Sequence, residues 1–455
     1  MSIFVRTIKD KVFLRHAFSI ILPVALQLLI TTVTNMVDTM MIGSLGTATI
    51  SAVGLANKFF FVFSLLMFGI NSGSGVLNAQ FFGNRDFLHI RKTFGLCVII
   101  ALLAAAAFLL FAFFNPSGVM HIFTDSPEAT EIGCEYLRVV CFTYPLFGLT
   151  TLFVMVLRSM KKVKVPVITS LISVSINVCL NYILIFGHFG APALGVRGAA
   201  IATIIARVAE LCALIYYAFI KNDELKGKFT DFIGWESSFL KSFVRNSVPV
   251  IANELFWGLG TTLYFVAYGH MNDASVAAVT ISATFTDILC TVGNGMSSAT
   301  SVILGNEMGA GNLEKAEDYG KKLIALALML SVICGTVFLL LRNPLLSIYD
   351  VADEVRRNAK ICMTIFTMYI PAIYVNLVVV VGVLRAGGDT RMCFVIDTSG
   401  VWLLAVPVAF LGSMVWKLPI TVVYGMVTFE EVYKCVLALI RYRTKKWLKN
   451  LAVEV

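Results

Sequence analysis

The chain has 455 residues, of which 58% are hydrophobic and 14% are charged, and its formal net charge is +9 at pH 7. Because soluble domains hold about 25% charged residues, this composition excludes an ordinary soluble enzyme and indicates a polytopic membrane protein. Twelve apolar segments are long enough to cross a bilayer, at about 17–42, 51–76, 93–114, 134–157, 165–187, 195–220, 243–270, 276–303, 320–342, 358–384, 393–416 and 418–440.

Lysine and arginine are concentrated in alternate loops and at both ends of the chain, where the tail reads RYRTKKWLKN. By the positive-inside rule, both termini are expected on the cytoplasmic side of the plasma (cytoplasmic) membrane. This topology accounts for the positive net charge, so no nucleic-acid partner is expected. The basic tail is expected to meet anionic lipid headgroups.

The first apolar segment contains an acidic residue, Asp38, which would be unfavourable in contact with lipid. Gln27, Thr31, Thr34 and Asp38 recur at helical spacing on one face, with Asn35 beside them. A carboxylate that faces lipid in a spanning helix costs at least about 2.5 kcal/mol, so Asp38 is expected to face the protein interior or a water-filled cavity. It is a functional candidate, and the alternative is a structural aspartate satisfied by a hydroxyl or amide of a neighbouring helix.

The fifth and sixth segments add further polar groups. Ser170, Ser173, Asn177 and Asn181 form a stripe on the fifth segment. The two amides can coordinate a cation or hydrogen-bond Asp38, and the alternative is that they join helices without a further role. On the sixth segment, Arg207 and Glu210 are three residues apart and are expected to form a local ion pair, as are Glu430 and Lys434 on the twelfth.

The second half of the chain repeats the first. Four pairs of residues are 226 positions apart, namely Pro23 and Pro249, Gly43 and Gly269, Gly83 and Gly309, and Pro145 and Pro371; Arg158 and Arg385 are 227 apart. Six segments per half give both halves one orientation, and such parallel repeats place the substrate site between them. We predict an all-α integral membrane protein of twelve transmembrane helices in two six-helix lobes, with a cytoplasmic segment at 1–16, the N-lobe at 17–220, a linker at 221–242, the C-lobe at 243–440 and a basic tail at 441–455.

The repeat also shows where the halves differ. Asp38 aligns with Tyr264, whereas Glu254 on the seventh segment aligns with Leu28. The eighth segment carries Asp287, whose expected partner is either Glu254 or Lys58. Two separate ion sites, or one coupling site and one substrate site, are both compatible with this arrangement.

Several motifs resemble those of the multidrug and toxic compound extrusion (MATE) transporters. They are LPVALQ and NMVDTMMIG in the first segment, SAVGLANKFFF, LRSMKKVKVP, NVCLNYILIFG, LGVRGAAIAT, SATSVILGNEMGAGN and VLRAGGDTR. The resemblance covers almost the whole chain. It implies a twelve-helix bundle whose central cavity opens to either side in turn, and an antiporter that exports organic, often cationic, drugs or metabolites in exchange for H⁺ or Na⁺.

The resemblance also assigns roles by position. Asp38 matches the acid that the family uses for coupling, and Asn177 and Thr203 match other residues of that site. Asn181 stands where DinF-like members have aspartate, and Trp257 stands where NorM-like members have glutamate, so the pattern is closer to the DinF-like branch. Coupling, with Na⁺ as one possible ion, is expected at Asp38, Asn177, Asn181 and Thr203. The substrate cavity or a second coupling site is expected to include Gln27, Thr34, Asn35, Asn253, Glu254, Trp257 and Asp287.

Three other functions stay open. A lipid-linked saccharide flippase of the same superfamily would more naturally carry a basic cavity. An integral-membrane enzyme is disfavoured because the five histidines, His16, His89, His121, His188 and His270, fall in loops or at helix ends. A channel fits two non-identical halves less well than an antiporter. No cofactor besides the coupling ion is expected, the expected partners are a small organic molecule and the bilayer, and the expected oligomeric state is a monomer.

Overall fold

The computed structural model describes residues 3–124, 126–347, 349 and 351–453, and its regular elements are helices throughout that part of the chain. The helices of the first half are α1 (Ile3–Lys9), α2 (Lys11–Gly43), α3 (Thr47–Gly83), α4 (Phe87–Phe114), α5 (Pro116–His121), α6 (Pro127–Val140), α7 (Thr143–Ser159), α8 (Lys164–Phe186) and α9 (Gly195–Tyr216). Those of the second half are α10 (Ser237–Gly269), α11 (Asp273–Gly309), α12 (Leu313–Leu346), α13 (Asp353–Asn376), α14 (Thr390–Thr398), α15 (Val406–Phe410), α16 (Ile420–Thr428) and α17 (Glu430–Arg443).

Within the described residues, ten helices are long and apolar enough to cross a membrane, or eleven when α6 and α7, bent by 52°, are taken as one span. The twelfth expected segment, 418–440, is helical but does not count as a span by length and composition. It is divided at Phe429 into α16 and α17, and α17 begins with two glutamates followed by Lys434. The sequence-based count of twelve therefore holds for helical segments, and the last of them is charged in its interior.

Wider π-helical turns extend several helices of the second half. They cover Leu377–Leu384 after α13, Ser399–Ala405 after α14 and Leu411–Val415 after α15. In the first half such a turn follows α9 at Tyr217–Lys221. Such turns are rare and often lie at functional positions. Here Arg385 directly follows one of them, and Asp397 precedes the next by two residues.

The chain forms two compact units. The first unit is Leu26–Leu240, in which α8 packs along α9 and α3 contacts α4, α6 and α7. The second unit consists of residues 3–25 with 241–453, in which α11 contacts α12 and α13, and α13 contacts α17. Residues 3–25 thus pack with the second half of the chain, so α2 contributes to both units.

The N-terminal segment is anchored within the second unit by ion pairs. Lys322 Nζ on α12 lies 2.7 Å from Asp10 Oδ2 and 2.5 Å from Asp318 Oδ2. The hydrogen bond from Lys322 holds the pKa of the Asp10 carboxyl below its usual value. The ammonium also lies over the Phe13 ring, 5.6 Å from its centroid. These contacts join the start of α2 and the residue before it to α12, a helix from the other half of the sequence on which α1 also packs.

The basic tail folds back onto the second unit. Trp447 is fully buried and stacks on Tyr442 with ring centroids 5.5 Å apart. Its carbonyl approaches Gly387 so closely that a Cβ there would lie 1.6 Å from that oxygen, so only glycine fits. Asn450 Nδ2 donates to the Gly309 carbonyl at 3.2 Å. The apolar side chains of the tail thus pack on protein, while contact of its lysines with lipid headgroups stays a prediction.

The segment that joins the two halves of the sequence packs against α4 of the first unit. The Trp235 indole donates to the Lys92 carbonyl at 2.9 Å, and Arg91 Nη1 lies 3.2 Å from Asp231 Oδ2. A Cβ at Gly95 would lie 1.9 Å from the Phe232 carbonyl oxygen. The segment that follows the sixth apolar stretch is therefore fixed against α4.

Candidate functional site

A cavity of about 480 Å³ lies within the first unit, between α2, α3, α6, α7, α8 and α9. It is large enough for a small organic ligand, because such sites usually span about 300–1,000 Å³. The polar and charged side chains that line it are Thr31, Thr34, Asn35, Asp38, Thr39, Asn57, Ser64, Tyr136, Thr143, Ser170, Ser173, Asn177, Asn181, Thr203, Arg207 and Glu210.

A chain of hydrogen bonds joins the four residues that we expected at the coupling site. Asn181 Nδ2 donates to Asp38 Oδ1 at 2.7 Å and contacts Asn177 Oδ1 at 3.2 Å. Asn177 Nδ2 reaches Thr203 Oγ1 at 3.4 Å. The chain therefore crosses from α2 through α8 to α9 along one wall of the cavity.

Local sequence explains why these helices meet so closely. Asn177 and Asn181 are one turn apart on α8, so both amides lie on one face. At the start of α9, a Cβ at Gly198 would lie 2.5 Å from the Leu184 carbonyl oxygen. The absence of a side chain at Gly198 thus lets α9 approach α8, which brings Thr203 within reach of Asn177.

The cavity carries an unbalanced negative charge. Among the described residues, Asp38 makes no ion pair, whereas Arg207 Nη1 and Glu210 Oε2 form the local pair that the sequence predicted, at 2.9 Å. With one guanidinium and two carboxylates on its wall, the cavity has a net charge of −1 when all three are ionised. Asn181 is 1% exposed and its Oδ1 is buried without a hydrogen-bond donor in the described structure.

A second polar layer lies behind this wall. Arg158 Nη2 donates to Gln27 Oε1 at 2.6 Å, and Gln27 Nε2 donates to Ser170 Oγ at 3.1 Å. Ser170 Oγ donates to Glu210 Oε1 at 2.8 Å. Gln27, expected in the cavity, is buried behind it and does not line it. Sequence reasoning gave Arg158 no role, although its match with Arg385 in the repeat was a signal.

The expected residues of the second unit form a separate cluster. Glu254 Oε1 lies 2.9 Å from Arg385 Nη1, and the Arg385 side chain is 1% exposed. Asn253 Nδ2 donates to Asp397 Oδ2 at 2.9 Å. Asp287 was one expected partner of Glu254, but Arg385 holds that position. A buried carboxylate with a direct cationic partner is electrostatically satisfied.

Two further expected residues lie apart from these clusters. Trp257 is 40% exposed. Asp287 is exposed on α11 and makes no side-chain ion pair or hydrogen bond in the part of the chain that is described, although Thr291 donates to its carbonyl at 3.0 Å. Neither residue lines the 480 Å³ cavity.

Tyr264, which matches Asp38 in the repeat, belongs to another buried cluster. Tyr264 donates from its hydroxyl to Glu430 Oε2 at 3.0 Å. Lys434 Nζ lies 3.3 Å from Glu430 Oε1, which confirms the predicted pair, and 3.2 Å from Glu431 Oε1. Asn376 Nδ2 donates to Glu431 Oε2 at 2.7 Å.

The chemistry of the cavity wall suits a proton or an alkali cation. In the described residues no group of three or more histidine, cysteine and acidic side chains is close enough to hold a metal ion. The oxygens at the Asp38 end come from one carboxylate, two amides and one hydroxyl, which are hard ligands. Such a set can hold a proton on the carboxylate or a weakly bound cation beside it.

Comparisons with known proteins give the same architecture. The multidrug resistance protein NorM of Thermotoga maritima, probable by its description, is 25% identical over 427 residues, 91% of this chain and 89% of that protein. A multidrug resistance MATE transporter in an outward-facing conformation superposes with a TM-score of 0.86 at 18% identity, covering 95% of each chain. A eukaryotic MATE transporter gives 0.86 at 16% identity, covering 100% of this chain and 99% of that one.

A family model described as MatE matches residues 23–183 and 249–411. The two matches begin at Pro23 and Pro249, the first pair of the internal repeat, which confirms the two homologous halves. The all-helical fold and the multi-pass membrane class that the sequence predicted are confirmed as well, while the DinF-like branch stays a prediction. Since the two matches cover most of both halves, the chain belongs to the MATE family.

Proposed function

We propose that the chain is a secondary active antiporter that exports organic, often cationic, drugs or metabolites in exchange for H⁺ or Na⁺. The main support is the cavity of the first unit, where Asp38 is an acid without an ionic partner among the described residues. The names of relatives such as the NorM protein of Thermotoga maritima agree with this activity.

The charge of Asp38 links the binding of the exported organic cation to the binding of the coupling ion. When Asp38 is ionised, the cavity has a net charge of −1 and attracts an organic cation. A proton on Asp38, or a Na⁺ beside it, removes that charge and lowers the affinity for the cation. The two ligands therefore compete for one carboxylate, and competition of this kind is what an exchange cycle requires.

The hydrogen-bond chain supplies the groups that respond to this change. Asn181 donates to Asp38 and so stabilises the ionised carboxylate. A Na⁺ bound as the coupling ion would use the oxygens of Asp38, Asn177, Asn181 and Thr203, and the buried Oδ1 of Asn181 already lacks a donor. Rotation of this amide would turn its oxygen toward Asp38, whereas proton coupling needs no rotation.

The remaining predictions complete the proposal. The protein lies in the plasma membrane with both termini in the cytoplasm, in agreement with the basic segments at the two ends of the chain. It acts as a monomer, and the coupling ion is its only cofactor.

The test uses purified protein in liposomes that contain a fluorescent organic cation, with a pH gradient or a Na⁺ gradient imposed alone. Asp38→Asn should lower gradient-driven efflux about 100-fold, because a neutral side chain cannot exchange the two ligands. Asp223→Asn, which removes an acid whose side chain is 88% exposed, should retain efflux.

The gradient that drives efflux identifies the coupling ion. Efflux at the wild-type rate in Asp38→Asn would contradict the proposal. No response of the wild type to either gradient would favour the alternative, a flippase for lipid-linked saccharides.

A further inference from the structure

We propose that Arg207 is an anion-binding subsite of the cavity, so that the preferred substrates are zwitterionic organic molecules. Their cationic group lies at Asp38 and their carboxylate, or a similar anion, lies at Arg207. This inference rests on the proposed function, because it specifies the substrate class of the same cavity.

Asp38 and Arg207 lie at different levels of one cavity wall. Thr203 ends the hydrogen-bond chain from Asp38, and Arg207 follows it by one turn on α9. On the neighbouring helix, Ser173 Oγ donates to the Ala206 carbonyl at 3.1 Å, next to Arg207. Ser173 and Asn181 are eight residues apart, which is about 12 Å along α8. A ligand can therefore place two opposite charges at the two levels.

Glu210, beside Arg207 on the cavity wall, is the acid of a network with two guanidinium groups. Arg207 and Arg158 supply two guanidinium groups, but Glu210 is the acid that both approach. Arg207 contacts it directly at 2.9 Å, whereas Arg158 reaches it through Gln27 and Ser170. Each bond of that relay donates in the direction of Glu210, so the relay extends the positive charge of Arg158 toward the same carboxylate. Glu210 is thus shared between two guanidinium groups, although Arg158 does not line the cavity and the wall itself keeps a net charge of −1.

Arg207 is held in place while its remaining donors stay accessible. Its Nη1 bonds Glu210, and its guanidinium carbon lies 5.5 Å from the centroid of the Phe147 ring, which also lines the cavity. The Arg207 side chain is 28% exposed. A fixed guanidinium with free N–H groups is the arrangement that recognises carboxylates, often through two parallel hydrogen bonds.

A purely structural ion pair would look different, and the second unit contains one. Lys434 lies 227 positions after Arg207, the offset that relates Arg158 to Arg385. Its side chain is 4% exposed and contacts two glutamates, Glu430 and Glu431. The corresponding cation of the first unit has one direct acidic partner and faces a cavity. The difference in exposure and in the number of carboxylates points to a ligand at Arg207.

The experiment compares two dyes that differ in one charge, a rhodamine with a free carboxylate and its methyl ester. Fluorescence anisotropy gives the dissociation constant of each dye for the purified protein. The wild type should prefer the free acid, and Arg207→Gln should lower this preference about tenfold, as expected for the loss of a charge-assisted hydrogen bond. Arg207→Lys should retain most of the preference, because it keeps the positive charge.

Two controls keep the test decisive. Arg207→Gln with Glu210→Gln removes both charges of the pair, so it folds without a lone buried carboxylate and should lose the preference too. Arg197→Gln removes an arginine from the same helix whose side chain is 60% exposed, and should leave the preference unchanged. An unchanged preference in both Arg207 variants overturns the inference.

Failure of the proposed function is a separate outcome. If the wild type exports neither dye under a pH or Na⁺ gradient, the antiport proposal fails, whereas the anisotropy ratios still decide the role of Arg207. If the wild type exports both dyes and the ratio does not depend on Arg207, the subsite alone is wrong.

Discussion

Arg158 and Arg385 occupy equivalent positions in the two halves of the repeat, but their partners differ. Arg385 pairs directly with the carboxylate of Glu254, and its side chain is 1% exposed. Arg158 donates to the neutral amide of Gln27, and the nearest carboxylate of its network is two hydrogen bonds further on, at Glu210. The repeat therefore conserves a buried guanidinium while the charge around it changes.

The same contrast holds for the first helix of each half. Asp38 lines a cavity and is held by an amide, whereas Tyr264 at the matching position donates to Glu430 in a buried cluster. Apart from Asp287, the acids of the second unit described above have direct partners. In the first unit, Asp38 lines a cavity without an ion pair, and Arg207 faces the same cavity although it is paired with Glu210. Two homologous halves can therefore differ in how the charged groups at matching positions are partnered.

The largest expected effect comes from Arg385→Gln. This substitution leaves Glu254 buried without its cationic partner, which should lower the free energy of unfolding by about 3–5 kcal/mol. Thermal unfolding of the purified protein in detergent measures the loss. The double variant with Glu254→Gln should recover most of it, and a wild-type melting temperature in Arg385→Gln alone would show that the pair contributes little.

Arg158→Gln should cost less, about 1.5–3 kcal/mol, because it removes a hydrogen bond to a neutral amide and leaves no carboxylate unpaired. The same unfolding measurement applies. An equal loss for Arg158→Gln and Arg385→Gln would contradict the difference between the two halves, because it would require a direct acidic partner for Arg158.

Leu28→Glu places an acid at the position that matches Glu254. It tests whether Arg158 can form a direct ion pair like that of Arg385. We expect Leu28→Glu to be tolerated next to Arg158 and to destabilise the protein when combined with Arg158→Gln. A double-mutant cycle should give a coupling of about 1 kcal/mol. Additive effects would show that the two positions do not share the geometry of Glu254 and Arg385.

The smallest effect is expected at Asp10, an ion pair of the second unit that solvent reaches. Because Lys322 lowers the pKa of Asp10 in the folded state, its contribution is present above the ordinary aspartate pKa of about 3.9 and is lost as the pH falls below it. With the Asp10 side chain 31% exposed, Asp10→Asn should lower stability at pH 7 by less than about 1 kcal/mol. The melting temperatures of variant and wild type should converge as the pH falls through the lowered pKa of Asp10, and a constant difference would exclude this linkage.

Sequence patterns were sufficient for the fold and for one wall of the cavity. The repeat of Pro23 at Pro249 predicted the two halves, and helical spacing put Asn177 and Asn181 on one face of α8. These features depend on periodicity, which is local information. That the two amides join Asp38 and Thr203 in one hydrogen-bond chain follows from how α2, α8 and α9 pack.

Partners that are distant in sequence could not be predicted in the same way. Asp287 had two expected partners by residue type, Glu254 and Lys58, and only tertiary packing shows that Glu254 pairs with Arg385. The burial of Trp447 was hidden by the lysines around it, since composition alone makes the tail a typical membrane-surface segment. The role of Gly387 becomes clear only when the Trp447 carbonyl is seen against it.

The contact between Asp10 and Lys322 has a consequence for biosynthesis. During translation, Asp10 leaves the ribosome when more than 300 residues, including Lys322, are still to be made. The first unit, Leu26–Leu240, can complete its own contacts early, but residues 3–25 must wait for α12 before they find their partners. The nascent chain therefore carries its N-terminal helix without its partner α12 through most of its synthesis. The contact of Trp447 with Gly387 can form only when the tail has been made.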